Sequence, residues 1–474
     1  MIMSSRALIY QIYPASFGNL KFIAKAVPTI AKNLQPDYIW LSPIFKSPWQ
    51  EGGYDVADYQ AIDPRFGTIK DLQKLIATAK KHHIKILLDL VINHTSTEHP
   101  WFEKSRHRDP WYADYYVWMD RPLNWRSFFG GPACEYDSVR GQYYLHLFDK
   151  SQPDLNFKNP RVVKEFQKII KFWTEQGIAG FRVDSANVLS KSKLGHGFLP
   201  FMPGFFRYFQ TPKTIKILEK LFSNKKFFTL AEPVGGTLLT RAKFRELTAH
   251  AFDASFNIGT LDVADTYFSV KTNVHPVNYK KWLASLVKWT QEPTFSFALE
   301  SHDTPRATSR FNADAKALAM LQFLLPSSYP CIYQGQELGM KNPKLSSNIN
   351  AYPGVQSRAI YKKLISQGKS QKEAIQIVKK ISRDNARQPI DWIKYESQAP
   401  DPTSVYNFYR QLIHLWRNDP VIANGALHLR KITRAGIFDF IRTHENQTYS
   451  VHVDLSGYTP STLVNSHNQI LLTA

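Results

Sequence analysis

The 474-residue sequence predicts an α/β architecture: a (β/α)₈ barrel of the TIM type, with an inserted domain after strand 3 and a small C-terminal antiparallel β-domain. Three observations predict it. Eight short apolar, β-branched runs alternate with amphipathic segments, as expected of parallel strands joined by crossover helices. Several runs finish in charged or polar residues, and in such a barrel the C-terminal strand ends carry the chemistry. Two intervals between runs are too long for simple crossovers, which within a compact barrel marks functional inserts.

In chain order the strand-like runs are Ala7–Pro14, Tyr38–Ile44, Ile86–His94, Gly180–Ala186, Phe227–Pro233, His250–Asn257, Thr294–Asp303 and Tyr329–Glu337. Between them, apolar spacings of three and four predict helices over Ile69–Lys81, Pro160–Gln176 and Ala313–Leu325. The first long interval, Thr95–Asn159, is rich in Trp, Tyr and Pro and reads as a small domain over the barrel mouth. The second, Leu338–Trp392, is a polar, partly helical insertion after the eighth strand, and short β-like runs follow from about Pro420. Residues 1–94 and 160–419 are therefore expected to form the barrel, 95–159 the inserted domain and 420–474 the β-domain.

Composition excludes several classes. Hydrophobic residues make up 43% of the chain and aromatics 14%, too apolar for a disordered protein. Two cysteines, Cys134 and Cys331, neither staple a chain this long nor sit at metal-ligand spacing, so no disulfide framework, metal site or cofactor is expected. No apolar run reaches the length of a membrane span, and the first residues lack the form of a signal peptide, so a cytoplasmic enzyme is expected. The net charge of +21 allows weak association with anionic surfaces. Lysines scattered over helix faces, with no nucleic-acid module, point away from a nucleic-acid partner.

The polar strand ends fall in ordered motifs: Asp89–His94 (DLVINH), Gln152–Asn156 (QPDLN), Gly180–Asp184 (GFRVD), Glu232 after Leu230–Ala231, and Ser301–Arg306 (SHDTPR). With Gly53–Gly67 (GYDVADYQAIDPRFG) and Ser382–Trp392 (SRDNARQPIDW), this set resembles glycoside hydrolase family 13, the α-amylase family. Within it, the branch of oligo-1,6-glucosidase, dextran glucosidase and related α-glucosidases is the nearest in pattern. The likeness covers nearly the whole chain.

Cleaving a glycosidic bond takes one carboxylate that attacks or stabilises the sugar cation and one carboxylic acid that protonates the departing oxygen. Asp184 and Glu232 end adjacent predicted strands, about 4.8 Å apart in a sheet, which suits the roughly 5–5.5 Å separation of a retaining pair. The resemblance implies that Asp184 is the nucleophile, Glu232 the general acid/base and Asp303 the third carboxylate. Arg182 shares the face of Asp184 two residues on and would keep it oriented and ionised. The resemblance also implies that His94 and His302 bind sugar hydroxyls and that Tyr54, Phe129 and Phe148 line the glucose pocket.

That branch closes its pocket behind one glucose with an Asp three residues before the pocket Tyr and an Arg of the RDNAR segment. Glu51 stands at this place here, with Arg383 or Arg387 as its partner across a rearranged salt bridge, and exo-action is expected to survive. Where the branch carries an acidic calcium loop, Pro14–Leu20 has no Asp, so no calcium is expected there. Ser185 after the nucleophile leaves linkage choice between α-1,4 and α-1,6 open, leaning toward mixed or α-1,4 action. Pro233 directly after Glu232 departs from the usual Met-Pro-Gly.

The sequence thus implies a retaining exo-acting α-glucosidase whose partner is a short α-glucoside oligosaccharide. Transfer of glucose to an acceptor, hydrolysis of trehalose 6-phosphate and a non-catalytic amylase-like binding protein stay open beside it.

Overall fold

The computed structural model describes residues 6–191, 193–197, 204–222, 225–235, 239–256, 279–430 and 436–474. Eight parallel strands close into a barrel: β1 (Ile9–Ile12), β2 (Tyr38–Leu41), β3 (Lys85–Val91), β4 (Gly180–Asp184), β5 (Phe228–Ala231), β6 (Ala254–Phe256), β7 (Phe295–Ala298) and β8 (Tyr329–Tyr333), each paired with its sequence neighbours and β8 with β1. Seven lie within the runs expected from the sequence and β3 starts one residue before its run, at Lys85; all eight are shorter than expected, several because their polar ends leave the sheet. The sixth differs most. His250 ends a helix (Arg241–His250) instead of opening a strand, and Asn257 lies outside the described residues.

Helices cover the barrel between strands, and their starts are written locally. In Leu20–Leu34 the Asn19 side chain accepts from the Phe22 N–H (3.0 Å), and in Ile69–Lys81 Thr68 and Asp71 form a reciprocal capping box. Pro160 opens Pro160–Glu175, a position where its missing N–H costs nothing. The apolar stripes of these helices pack on the outer faces of the strands in one continuous core. Among the described residues no helix is long and apolar enough to cross a membrane.

Within 95–159 a three-stranded antiparallel sheet forms from Trp118–Met119, Gln142–Leu145 and Cys134–Asp137, with Gln142–Leu145 central. Bridges His94↔Asp154 and Tyr116↔Leu155 join its flanks to the end of β3 and to each other. After β8, helices Val355–Ser366 and Gln371–Ile381 build a hairpin with its own apolar contact. Among the described residues of 426–474, a five-stranded antiparallel sheet runs in sequence order from Ala426–Leu429 to Ile470–Thr473.

One glycine positions the chemistry. A Cβ on Gly180 would run into the backbone carbonyl of Phe228, so only glycine lets β4 lie this close to β5. In the resulting register Arg182 pairs with Leu230 and, on the other side, with Asp89 of β3.

Candidate active site

At the C-terminal end of the barrel lies a cavity open on one side, with about 590 Å³ of space between its walls when the solvent-filled mouth is included. Asp184 closes β4, and Glu232 follows β5, its N–H donating to the Val183 carbonyl (3.0 Å). Asp303 comes from the loop after β7. All three line the cavity, as do Glu51, Tyr54, His94, Phe129, Phe148 and Arg383. Arg182, His302 and Arg387 stand behind the wall and bond to the residues that form it.

Arg182 is the hub. Fully buried, it contacts Asp89 (2.6 Å) and Asp184 (2.8 Å) through Nη1 and Glu232 (2.5 Å) through Nη2, joining carboxylates from three neighbouring strands. The Trp40 ring lies 5.1 Å from its Cζ. Burial disfavours its charge, but Asp89 and Glu232 outweigh that and hold it firmly cationic. The role expected from spacing was orientation of Asp184; spacing did not reveal Asp89 or the shared hold on Glu232. Burial pushes Asp89 up to about 7 against the pull of Arg182. Trp40 Nε1 and the Tyr54 hydroxyl donate to its other oxygen at 3.3 and 2.9 Å.

The two other acidic residues are driven apart. Burial raises the Glu232 carboxyl well above the usual carboxylate range despite Arg182, with Asp184 adding repulsion. Burial would raise Asp303 as well, but the hydrogen bond from His302 and the guanidiniums of Arg387 and Arg383 overcome it and hold Asp303 well below the usual range. Arg387 Nη2 reaches Asp303 at 2.7 Å and Arg383 Nη1 at 3.3 Å. One carboxyl suited to donate a proton therefore faces one suited to stay charged, a division of labour that environment alone imposes.

Glu51 pairs with Arg383, and Arg387 Nη1 lies 3.9 Å from the same oxygen. The longer side chain thus closes the salt bridge, and its Oε2 is left without a partner in the cavity wall. The Arg383 guanidinium also sits over the Phe129 ring, 4.9 Å to the centroid.

The two histidines are set by their neighbours, of which only Gln11 went unnoticed in the sequence. His302 Nδ1 is 2.7 Å from Gln11 Nε2, while its Nε2 is 2.6 Å from the Tyr54 hydroxyl and 3.0 Å from Asp303. Burial lowers its pKa to about 4, so the ring is neutral. His94 Nε2 is 3.0 Å from Gln152 Nε2, which gives the first residue of QPDLN a direct place in the cavity wall. Asp154 of the same motif lies behind it, bonded to Asn93 (3.1 Å) and Lys191 (2.9 Å).

Phe128, Val234 and Gln356 also line the cavity and were not expected; their positions follow from loops that periodicity does not encode. Ser185 adopts a left-handed backbone (φ 47°) immediately after Asp184, a conformation that bulky side chains avoid. Asn187 then ties the β5 loop in place, exchanging two hydrogen bonds (2.9 and 2.8 Å) with the Val234 backbone next to Pro233. At Pro14–Leu20 the one side-chain amide, on Asn19, caps a helix. Among the described residues no His, Cys, Asp and Glu cluster could hold a metal ion.

A closed parallel barrel with a carboxyl of raised pKa and a guanidinium-clamped carboxylate at adjacent strand ends has the make-up of a glycoside hydrolase site. The chain belongs to the α-amylase family: the model of the α-amylase catalytic domain matches residues 11–425. It is 33% identical to an oligo-1,6-glucosidase from Parageobacillus thermoglucosidasius, covering 96% of this chain and 90% of that one. It is equally 33% identical to a trehalose-6-phosphate hydrolase from Bacillus subtilis (strain 168), over 93% and 88%. Among solved structures, the isomaltulose synthase of Klebsiella sp. LX3 superposes with a TM-score of 0.86 at 29% identity, over 95% and 90%.

Proposed function

We propose that the protein is a retaining, exo-acting α-glucosidase that hydrolyses α-1,4 and α-1,6 bonds of short oligosaccharides through a glucosyl–Asp184 intermediate. The observation that carries this reading is the single guanidinium of Arg182 joining Asp184 and Glu232 at the floor of a cavity that the Glu51–Arg383 pair helps to wall. A terminal glucose enters with its non-reducing end toward Glu51, Arg383 and Asp303. An Asp184 oxygen attacks the anomeric carbon as the Glu232 proton passes to the glycosidic oxygen, and the aglycone leaves as an alcohol. Glu232, now a carboxylate, takes a proton from water, which attacks the same carbon, breaks the ester and releases α-glucose. Asp303, ionised throughout, stabilises the sugar cation and accepts from its hydroxyls. Where a sugar hydroxyl outcompetes water at the second step, the product is a transferred glucose.

The names of relatives favour one rival, hydrolysis of trehalose 6-phosphate, which the Bacillus subtilis protein is said to perform. Incubation with maltose, isomaltose, panose and maltoheptaose, and with free and phosphorylated trehalose, separates them. Glucose as the first product of the neutral sugars supports the α-glucosidase; cleavage confined to the phosphorylated sugar refutes it. A cytoplasmic setting belongs to the same reading, supported by two buried, unpaired cysteines.

A further inference from the structure

The insertion after β8 carries a charge that hydrolysis does not use. Residues 338–381 contain nine Lys or Arg and one acid, Glu373, so less than a tenth of the chain holds +8 of its net +21. The structure gathers much of that charge on the hairpin of Val355–Ser366 and Gln371–Ile381, whose helices meet through Ile360, Leu364, Ile375 and Val378. Glu373 is taken up by a capping box with Ser370. Lys362, Lys372 and Lys380 are exposed, Lys369 half-exposed, and none of the four is ion-paired to a described residue.

The hairpin touches the active site. Gln356 in its first turn lines the catalytic cavity, and the neighbouring Arg358 and Lys362 line an adjoining groove of about 1,020 Å³. Across that groove stand Lys150 of the inserted segment and Trp49 and Gln50, next in sequence to Glu51. Asp149, the one acid in the lining, is engaged by the Ser151 N–H (3.0 Å) and hydroxyl (2.7 Å). Lys372 and Lys380 stand eight residues apart on the second helix, about 12 Å along its axis, with Lys369 in the turn before it and Lys362 on the first helix. A single phosphate would meet one or two of them; a chain of regularly spaced anions can meet several at once and release the counterions held there.

We propose that this hairpin docks a linear polyol-phosphate chain, not a nucleic acid, and directs α-glucosyl groups carried on it into the cavity. The directing half rests on the α-glucosidase reading; the docking half does not. The full-length protein and its Lys362→Gln/Lys369→Gln/Lys372→Gln/Lys380→Gln variant are titrated with unglucosylated poly(glycerol phosphate) from 50 to 400 mM salt. Wild-type affinity should fall steeply with salt, and the variant should lose roughly 3 from the magnitude of the log–log slope, about 0.7 per cation removed. Hydrolysis of an aryl α-glucoside and the thermal unfolding midpoint should not change. With the glucosylated chain as substrate, the variant should show at least tenfold higher KM at unchanged kcat. Equal slopes for the two proteins, displacement of the chain by millimolar inorganic phosphate, or tighter binding of a single-stranded DNA of equal charge would each overturn the proposal. If neither protein cleaves the aryl glucoside, the α-glucosidase reading fails, while the titration still decides the docking.

Discussion

Replacing Arg182 by Lys keeps the charge of the hub and removes its span. The guanidinium reaches Asp89, Asp184 and Glu232 at once from two nitrogens, at 2.5–2.8 Å. An ammonium is a compact point charge on a flexible stem and cannot hold carboxylates on three strands in that fork. If Lys keeps the contact to Asp89, the two to the reacting carboxylates are lost. Hydrogen bonds to charged groups contribute about 1.5–3 kcal/mol each, so the pair contributes roughly 3–6 kcal/mol. At about 1.4 kcal/mol per decade, kcat should fall about 10²–10⁴-fold. The Lys variant leaves sugar-binding residues untouched, so KM for maltose should move less than threefold. Steady-state kinetics with maltose, beside circular dichroism to confirm the fold, measures both. A kcat within tenfold of wild type would refute the view that the shared guanidinium positions the two carboxyls.

Three further outcomes follow from the same geometry. Glu232 must hold a proton for the first step, and burial raises its pKa above the ordinary 4.5, so activity should persist above that value and fall as pH rises through the raised one. Asp303, held low, stays ionised as pH falls; in a pH profile with an activated aryl glucoside, Glu232→Gln should abolish the alkaline limb. Gln152→Ala removes the partner 3.0 Å from His94 and should raise KM about 2–10-fold, as expected for a lost hydrogen bond of about 0.5–1.5 kcal/mol, while kcat changes little. At Gly52 (φ 61°) a methyl would overlap Arg387 Nη1 and strain the backbone, so Gly52→Ala should raise KM for maltose and lower the unfolding midpoint in a denaturant titration.

The barrel was legible because each strand is a short buried run flanked by amphipathic helices, and because turn and cap residues such as Asn19, Thr68 and Pro160 mark helix starts. The polar strand ends marked the catalytic face, and the glycine before Phe181 sat where two backbones nearly touch. What could not be read were contacts made across the closed barrel. Gln11 on β1 meets His302 after β7, 291 residues away, and Asp89 reaches Tyr54 and Trp40 from a different strand and loop. Such pairs leave no periodic trace, since the residues are neighbours only once the sheet closes. Phe128, Val234 and Gln356 escaped for a related reason: loop geometry, set by ties such as Asn187 to Val234, decides which side chains turn inward. The lysines of the last insertion looked scattered in sequence, yet two helices bring them onto one hairpin beside the cavity mouth.

A covalent intermediate on Asp184 inverts the anomeric carbon twice, so the anomer released in the first turnovers keeps the configuration of the substrate. Proton NMR of an α-glucoside digest should show α-glucose first, followed by slow mutarotation, with no product from Asp184→Asn. β-Glucose appearing first, or an Asp184→Asn protein that still turns over, would rule out a glucosyl–Asp184 intermediate.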